Sequence, residues 1–271
     1  MTENSITSAT DDPRSRFRAL HADGLFVMPN PWDVGSARLL QSRGFDALAT
    51  TSSGHAAGLG LVDQEVGRTE LVSHVGALTR AVSVPVSVDS EDGFPDAPGG
   101  VAETGRMLAE AGASGFSVED YDPAVDELIP IGLAVDRVRA AAAVADEFGM
   151  VLTARAENFL RLNPNLDDTI ERLKAFREAG AGCVYAPGLR DLESIGRIVN
   201  EVGGAVNVLV YSDGPSIPQL AEIGVRRIST GGALAKAAYS KMLQAADELL
   251  NAGTSQYAAN DPSWDELWAM F

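Results

Sequence analysis

Val84-Pro85-Val86-Ser87-Val88-Asp89-Ser90-Glu91-Asp92-Gly93 is a short valine-rich run that turns abruptly acidic. It reads as a β-strand through Asp89, with a loop in the acids and glycine that follow. An amphipathic stretch, Val101–Ala111, comes next and stops at Gly112. Strand then helix makes one βα unit, and working outward the same unit recurs along the chain. Further strands are expected at Leu25–Met28, Ala47–Thr51, Gly115–Glu119, Val151–Arg155, Gly182–Ala186, Val206–Tyr211 and Arg227–Thr230. They are short and apolar and read as buried on both faces. Helices are expected at Asp33–Arg43, Glu70–Val82, Ala134–Phe148, Asp168–Ala179, Leu192–Val202, Ile217–Ile223 and Ala233–Leu250, most of them stopped by glycine. Eight units without a composition break in 271 residues predict an α/β fold, a single (β/α)8 TIM barrel. A doubly wound sheet is the alternative, but no Gly-x-Gly-x-x-Gly follows the first strand. The barrel is expected over 14–250, after a flexible lead-in at 1–13. Residues 251–271 carry Trp264, Trp268 and Phe271 and are expected to dock on the barrel or on a neighbouring subunit.

Composition narrows the partners. With 45% hydrophobic and 22% charged residues the chain is globular rather than disordered. Its net charge of −17 repels phosphate backbones and anionic lipid, so neither nucleic acid nor membrane is an expected partner. The one cysteine, Cys183, lies in an apolar run and reads as a small buried hydrophobe. His21, His55 and His74 have no metal-ligand spacing. No run of 18 apolar residues and no basic-then-apolar start is present, so the expected location is cytoplasmic.

In a barrel, chemistry sits where strands end. Here strand after strand ends in polar residues: Asn30-Pro31-Trp32-Asp33, then Thr50-Thr51-Ser52-Ser53-Gly54 with a loop reaching Asp63, then Asp89 and Glu91, Glu119-Asp120, Arg155-Ala156-Glu157, and Asn207 through Asp213. One such acid reads as a helix N-cap. Several at one rim read instead as a seat for a hard divalent cation, Mg²⁺ first and Mn²⁺ second. Thr51-Ser52-Ser53-Gly54 offers N–H groups and hydroxyls to an anion, and Arg155 is the one base expected from the strands. Together they predict a small carboxylate substrate and a bond broken beside a 2-oxo carboxylate.

From about Phe17 to Leu250 the chain resembles the isocitrate lyase and phosphoenolpyruvate mutase superfamily. The resemblance rests on Asn30–Arg38, Thr50–Gly54, Leu59–Asp63, Pro85–Phe94, Val118–Asp120, Ala154-Arg155 and Gly224–Ser229, occurring in order. It implies a (β/α)8 barrel that uses Mg²⁺ and an enolpyruvate-type intermediate. It further implies that Asp89 is the principal metal ligand and that Asp63, Glu91 and Glu119 hold the metal largely through water. Thr51, Ser52 and Ser53 would grip the substrate carboxylate, with Gly54 in the same loop. Arg155 would touch substrate oxygens, Trp32 would border the substrate, and Asn207 would be a further pocket residue. A homodimer or homotetramer with an exchanged last helix is implied as well.

The departures shape the expected reaction. Lyase members carry a Lys-Lys-Cys-Gly-His or Lys-Arg-Cys-Gly-His loop after strand four, whereas Tyr121–Pro130 here has no Cys, His, Lys or Arg. The Pro-Lys-x-Asn-Ser loop of phosphonate members is absent too, and Ala156-Glu157 follows Arg155 where the family has Thr-Asp. The expected function is therefore a Mg²⁺-dependent lyase of small 2-oxo or 2-hydroxy carboxylates, and not a typical isocitrate or methylisocitrate lyase. Arg155, Asp63 and Glu119 are its expected catalytic groups; His55 and Tyr121 are candidate proton donors, with packing against the loop or facing solvent the preferred reading of His55. The alternatives are phosphonopyruvate hydrolase or phosphonomutase-type C–P chemistry, and a barrel that binds an oxo acid without turnover.

Overall fold

The computed structural model describes residues 12–161 and 163–271, so most of the expected lead-in lies outside the described residues. The end of that lead-in is helical rather than flexible. Asp12 accepts the Ser15 N–H as an N-cap and Pro13 takes the first helical position, where its missing N–H costs nothing, so α1 runs Pro13–Leu20.

The strands are β1 Phe26–Met28, β2 Leu48–Ala49, β3 Val86–Asp89, β4 Gly115–Glu119, β5 Tyr121–Asp122, β6 Glu127–Leu128, β7 Val151–Arg155, β8 Cys183–Tyr185, β9 Ala205–Leu209 and β10 Arg227–Ser229. Eight of them form one parallel sheet in the order β1-β10-β9-β8-β7-β4-β3-β2, and β5 and β6 form a small antiparallel hairpin. The open seam between β1 and β2 is bridged by Ala49 N–H donating to the Pro29 carbonyl at 3.1 Å. Asn30 reinforces it: its Nδ2 donates to the Thr50 carbonyl at 2.7 Å while its Oδ1 accepts the Thr230 and Gly231 N–H groups at 2.9 Å. The result is a nearly closed (β/α)8 barrel. Its helices are α2 Val34–Ser42, α3 Ser52–Leu59, α4 Arg68–Ala81, α5 Gly100–Glu110, α6 Ile131–Phe148, α7 Leu166–Glu178, α8 Leu192–Val202, α9 Ile217–Glu222 and α10 Ala233–Asn251, followed by α11 Trp264–Trp268.

The strands are buried on both faces, yet they alternate. Val88, Val118, Leu152, Val184, Val206 and Ile228 face the surrounding helices and form the main core with them. Ser87, Ser117, Thr153, Asn207, Arg227 and Ser229 are also buried, and they line the inside. Polar side chains thus line much of the barrel interior, and α1 plugs its apolar floor. Phe17 is fully buried among Phe26, Ala47, Val151, Cys183 and Ala205. Gly115 makes room, since a Cβ there would stand 2.5 Å from the Val151 carbonyl oxygen and 2.7 Å from the Phe17 ring.

His21 extends this plug, edge-on to Phe17 and Phe26, with its Nε2 3.2 Å from Arg227 Nη1. Burial and the Arg227 charge push its pKa down to about 3. In the unfolded chain it titrates near 6.5, so below that pH the unfolded state binds the extra proton. Stability is lost as pH falls from 6.5 toward 3, by about 1.4 kcal/mol per unit from this group. Replacing His21 with Gln should flatten denaturant-derived stability between pH 6 and 4. Identical slopes in both proteins would show that His21 does not set the acid limb.

Candidate functional site

A cavity of about 300 Å³ opens at the C-terminal ends of the strands. Ser52, Ser53, Asp63, Asp89 and Arg155 stand at its mouth, with Thr153, Asn207, Arg227 and Ser229 deeper in. Arg155, the last residue of β7, holds three carboxylates at once. Nη1 donates to Asp89 Oδ1 at 2.7 Å, Nη2 lies 2.9 Å from Glu119 Oε2, and Nε donates to Glu157 Oε1 at 2.8 Å. Strand register makes this possible, because Glu119 lies directly opposite Arg155 on β4. Burial opposes the arginine's charge, but Glu157, Glu119 and Asp89 hold its pKa well above the ordinary value.

Thr51-Ser52-Ser53-Gly54, expected to be a loop, is the start of α3. Thr51 Oγ1 accepts the Gly54 N–H as an N-cap, and Ser52 and Ser53 sit in the first turn. A helix start leaves N–H groups without carbonyl partners inside the helix, and in this first turn that of Gly54 is taken by the cap. The Ser52 N–H donates to Asp89 Oδ2 at 3.1 Å. Gly54 is required by close approach: a Cβ would stand 2.6 Å from Thr51 Cγ2 and 3.0 Å from Trp32 Cβ.

The remaining rim acids are tied by Gln64. Its N–H donates to Glu91 Oε1 at 3.2 Å and its Nε2 to Glu119 Oε1 at 3.1 Å. Burial, then the charges of Asp89 and Asp63, push Glu91 up to about 8. Asp63 is raised by burial and by Asp89, and Glu119 is raised strongly by burial despite Arg155. Five carboxylates, with Glu157, thus face two guanidinium groups, Arg155 and Arg161. Such an excess suits a cation. Among the described residues no three His, Cys, Asp or Glu side chains are close enough to ligate one ion directly. Mg²⁺ fits that arrangement, since it commonly takes one or two carboxylates and keeps several waters. Asp89 would be the direct ligand, with Asp63, Glu91 and Glu119 reached through water.

Other expected site residues lie elsewhere. Trp32 is not on the cavity wall and instead packs its Cβ toward Gly54. His55 points away from the cavity and stacks on His74, with ring centroids 3.6 Å apart. The Tyr121 hydroxyl donates to Asp126 Oδ1 at 2.7 Å inside the β5–β6 hairpin. Asp120 is not a helix cap but accepts the Glu157 N–H at 2.9 Å and pairs with Arg172 at 3.0 Å. Asn207 does line the cavity, and its Nδ2 donates to Ser229 Oγ at 2.9 Å.

Glu157 was expected only as a polar strand end, and Arg161 and Arg227 were given no place at the site. Glu157 is fully buried, and its Oε2 has no hydrogen-bond partner among the described residues. Arg161 lies over the Tyr121 ring at 3.6 Å and 3.7 Å from Glu119. Arg227 corrects the expectation that Arg155 is the only base from the strands, because it lines the same cavity. The paired Arg226-Arg227 was the available signal: strand pleating sends one arginine outward, to the Gly24 carbonyl, and the other inward.

Comparison with known proteins agrees with this fold. A family model described as phosphoenolpyruvate phosphomutase matches residues 17–250. A Burkholderia cenocepacia protein provisionally assigned as a lyase or mutase has a crystal structure that is 43% identical, with a TM-score of 0.91 over 96% of this chain and 95% of that one. An oxaloacetate decarboxylase of Paraburkholderia xenovorans is 29% identical over 237 residues, covering 84% of this chain and 78% of the relative. At 21% identity, a phosphonopyruvate hydrolase solved with oxalate and Mg²⁺ shares the fold, with a TM-score of 0.84 over 95% of this chain and 94% of that one.

Proposed function

Because this chain belongs to the phosphoenolpyruvate phosphomutase family, within the phosphoenolpyruvate mutase and isocitrate lyase superfamily, we propose that it is a Mg²⁺-dependent carbon–carbon lyase of small 2-oxo or 2-hydroxy carboxylates. The observation that carries this reading is Arg155, clamped between Asp89, Glu119 and Glu157 beside the start of α3 in an acid-rich mouth. When bound, a divalent cation would supply Lewis-acid stabilisation of charge developing on a substrate oxygen, with Mn²⁺ as the second choice. The chain's own residues bind and orient. The Ser53 N–H and the hydroxyls of Ser52 and Ser53 hold the carboxylate, while Arg155 shares its donors between the rim acids and the substrate oxygens.

Two reactions of this class fit. In oxaloacetate decarboxylation the C3–C4 bond breaks, its electrons pass to the C2 oxygen, CO2 leaves, and C3 then takes a proton. In retro-aldol cleavage a 2-hydroxyl gives its proton to a rim carboxylate such as Asp63 or Glu119. The neighbouring C–C bond then breaks to leave a 2-oxo acid, and the released carbanion is protonated. His55 and Tyr121 stand off the cavity wall, so we assign that last proton to water. Replacing His55 with Gln should leave the rate within about threefold, whereas a loss typical of a missing general acid, about 10²-fold or more, would return His55 to the mechanism.

Release of pyruvate from oxaloacetate, and of the corresponding 2-oxo acid from 2-hydroxy dicarboxylates, measured with Mg²⁺ and with EDTA, tests the reading. Release that EDTA abolishes supports it. No turnover on any of these, or phosphate release from phosphonopyruvate by ³¹P NMR, contradicts it. Among the described residues no helix is long and apolar enough to cross a membrane, and the one cysteine is a buried free thiol. A cytoplasmic location is part of the same proposal.

We also propose a homodimer or homotetramer. Met242, Leu243, Leu249 and Leu250 on α10, together with Trp264, Trp268 and Phe271, are exposed and apolar, a surface that a second copy would cover. The end of the tail meets its own barrel at Arg38, which donates to the Phe271 carbonyl, and at Arg43 beside Met270. Light scattering should give a multiple of 28.4 kDa that falls when Trp264 and Trp268 are both replaced by Ser. A wild-type monomer would contradict it.

A further inference from the structure

Arg227 opens β10 with its guanidinium inside the barrel and is only 3% exposed. Its Nε donates to Asn207 Oδ1 at 2.8 Å, its Nη2 donates to Thr153 Oγ1 at 2.9 Å, and its Nη1 lies 3.2 Å from His21 Nε2. Every one of these partners is neutral at neutral pH, His21 included, because its pKa is held near 3. Among the described residues no carboxylate pairs with Arg227, although the buried Arg155 and Arg172 each have at least two. A guanidinium has five N–H donors, so Nη1 and Nη2 each keep one more to give. A buried cation with no counter-charge is costly unless something anionic meets it.

An anion could meet it inside the barrel. Arg227, Asn207, Thr153 and Ser229 are walls of the same cavity that opens at Asp63, Asp89 and Arg155. Thr153 lies two residues below Arg155 on β7, so Arg227 is met roughly 7 Å beneath the mouth. Ser87, Ser117 and Ser229 make the wall between them polar. The cavity is thus polarised, with excess acid at the mouth and an unpaired cation at depth.

We infer that Arg227, oriented by Asn207 and Thr153, receives a second carboxylate of the substrate, so that this site takes a dicarboxylate rather than a monoacid. The inference rests on the proposed rim site for the first carboxylate and extends it. A carboxylate gripped by a guanidinium is held against departure as CO2. Of the two reactions above, this favours the retro-aldol cleavage, in which both carboxylates stay in the products.

Malate and lactate differ by that second carboxylate, and oxalate is small enough to occupy the mouth alone. Calorimetry in Mg²⁺ should show malate binding at least tenfold more tightly than lactate to the wild type. Arg227→Met should abolish that preference while oxalate affinity stays within threefold. A preference that survives Arg227→Met, or is missing from the wild type, overturns the inference. Should Arg227→Met fail to fold, Asn207→Asp replaces it: this nearly isosteric change sets a carboxylate on Arg227 Nε and should weaken malate more than oxalate. Equal weakening of both would overturn the inference. If oxalate does not bind the wild type in Mg²⁺, the rim reading itself fails. Arg227 is then judged alone, in EDTA, by malonate. A rise in Tm that Arg227→Met loses retains the deep anion site, and no rise removes it.

Discussion

Replacing Arg155 with Met is expected to lower kcat/KM by about 10³-fold and to destabilise the fold at the same time. One oxyanion-directed donor is worth about 10²–10³ in rate, and Arg155 supplies more than one. The stability cost has a separate cause. Asp89, Glu119 and Glu157 lie 2.7–2.9 Å from this one guanidinium, and Glu119 and Glu157 are almost wholly buried. Removing one partner of a buried ion pair leaves charge uncompensated, at about 3–5 kcal/mol. Arg155→Lys should recover only part of each loss, since an ammonium cannot present the guanidinium fork to three carboxylates. Steady-state kinetics together with denaturant unfolding check both parts. A variant with near wild-type kcat/KM would remove Arg155 from substrate binding, whatever its stability.

Replacing Asp89 with Asn is expected to cost about 10³-fold in activity at low Mg²⁺, as several kcal/mol of Lewis-acid stabilisation would be lost. Asp89 is the residue at which the rim converges, since Ser52 N–H, Ser117 Oγ and Arg155 all donate to it. Asn keeps the shape but gives up one anionic ligand and the ion pair with Arg155. Raising Mg²⁺ should recover part of the activity, and EDTA should bring the wild type down to the level of the variant. An Mg²⁺ titration of initial rates reads all three effects. Full activity in EDTA would contradict a metal role outright.

The rim of the site was legible in the sequence because buried strands normally stay apolar, so Asp89, Glu119 and Arg155 at their ends stood out against valine and alanine. The same contrast located β3, β4 and β7 to within a few residues. Three helices were not legible: α1, α3 and the short α11 in the tail. The α1 segment is mostly polar, and its one fully buried residue, Phe17, gives no periodic stripe. Ser-Ser-Gly-His-Ala-Ala-Gly-Leu in α3 has no apolar face, and a Ser/Gly-rich run reads locally as a turn. His55 looked like a proton donor because it follows the anion-binding turn, but the helix rotates it onto His74. The inner wall was the largest surprise. Ser87 and Thr153 were treated as strand interior, which predicts an apolar filling, whereas pleating turns both toward the cavity, beside the Asn207 that the resemblance had implied as a pocket residue. Arg227 was hidden for a related reason, because its depth depends on which of two adjacent arginines points inward.

A crystal structure grown with Mg²⁺ and oxalate is the most direct measurement of the central claim. An ion should lie beside Asp89 with waters bridging to Asp63, Glu91 and Glu119, and oxalate should lie between that ion, Arg155 and the first turn of α3. An empty mouth at saturating Mg²⁺ and oxalate, or oxalate bound with no ion near Asp89, would contradict it.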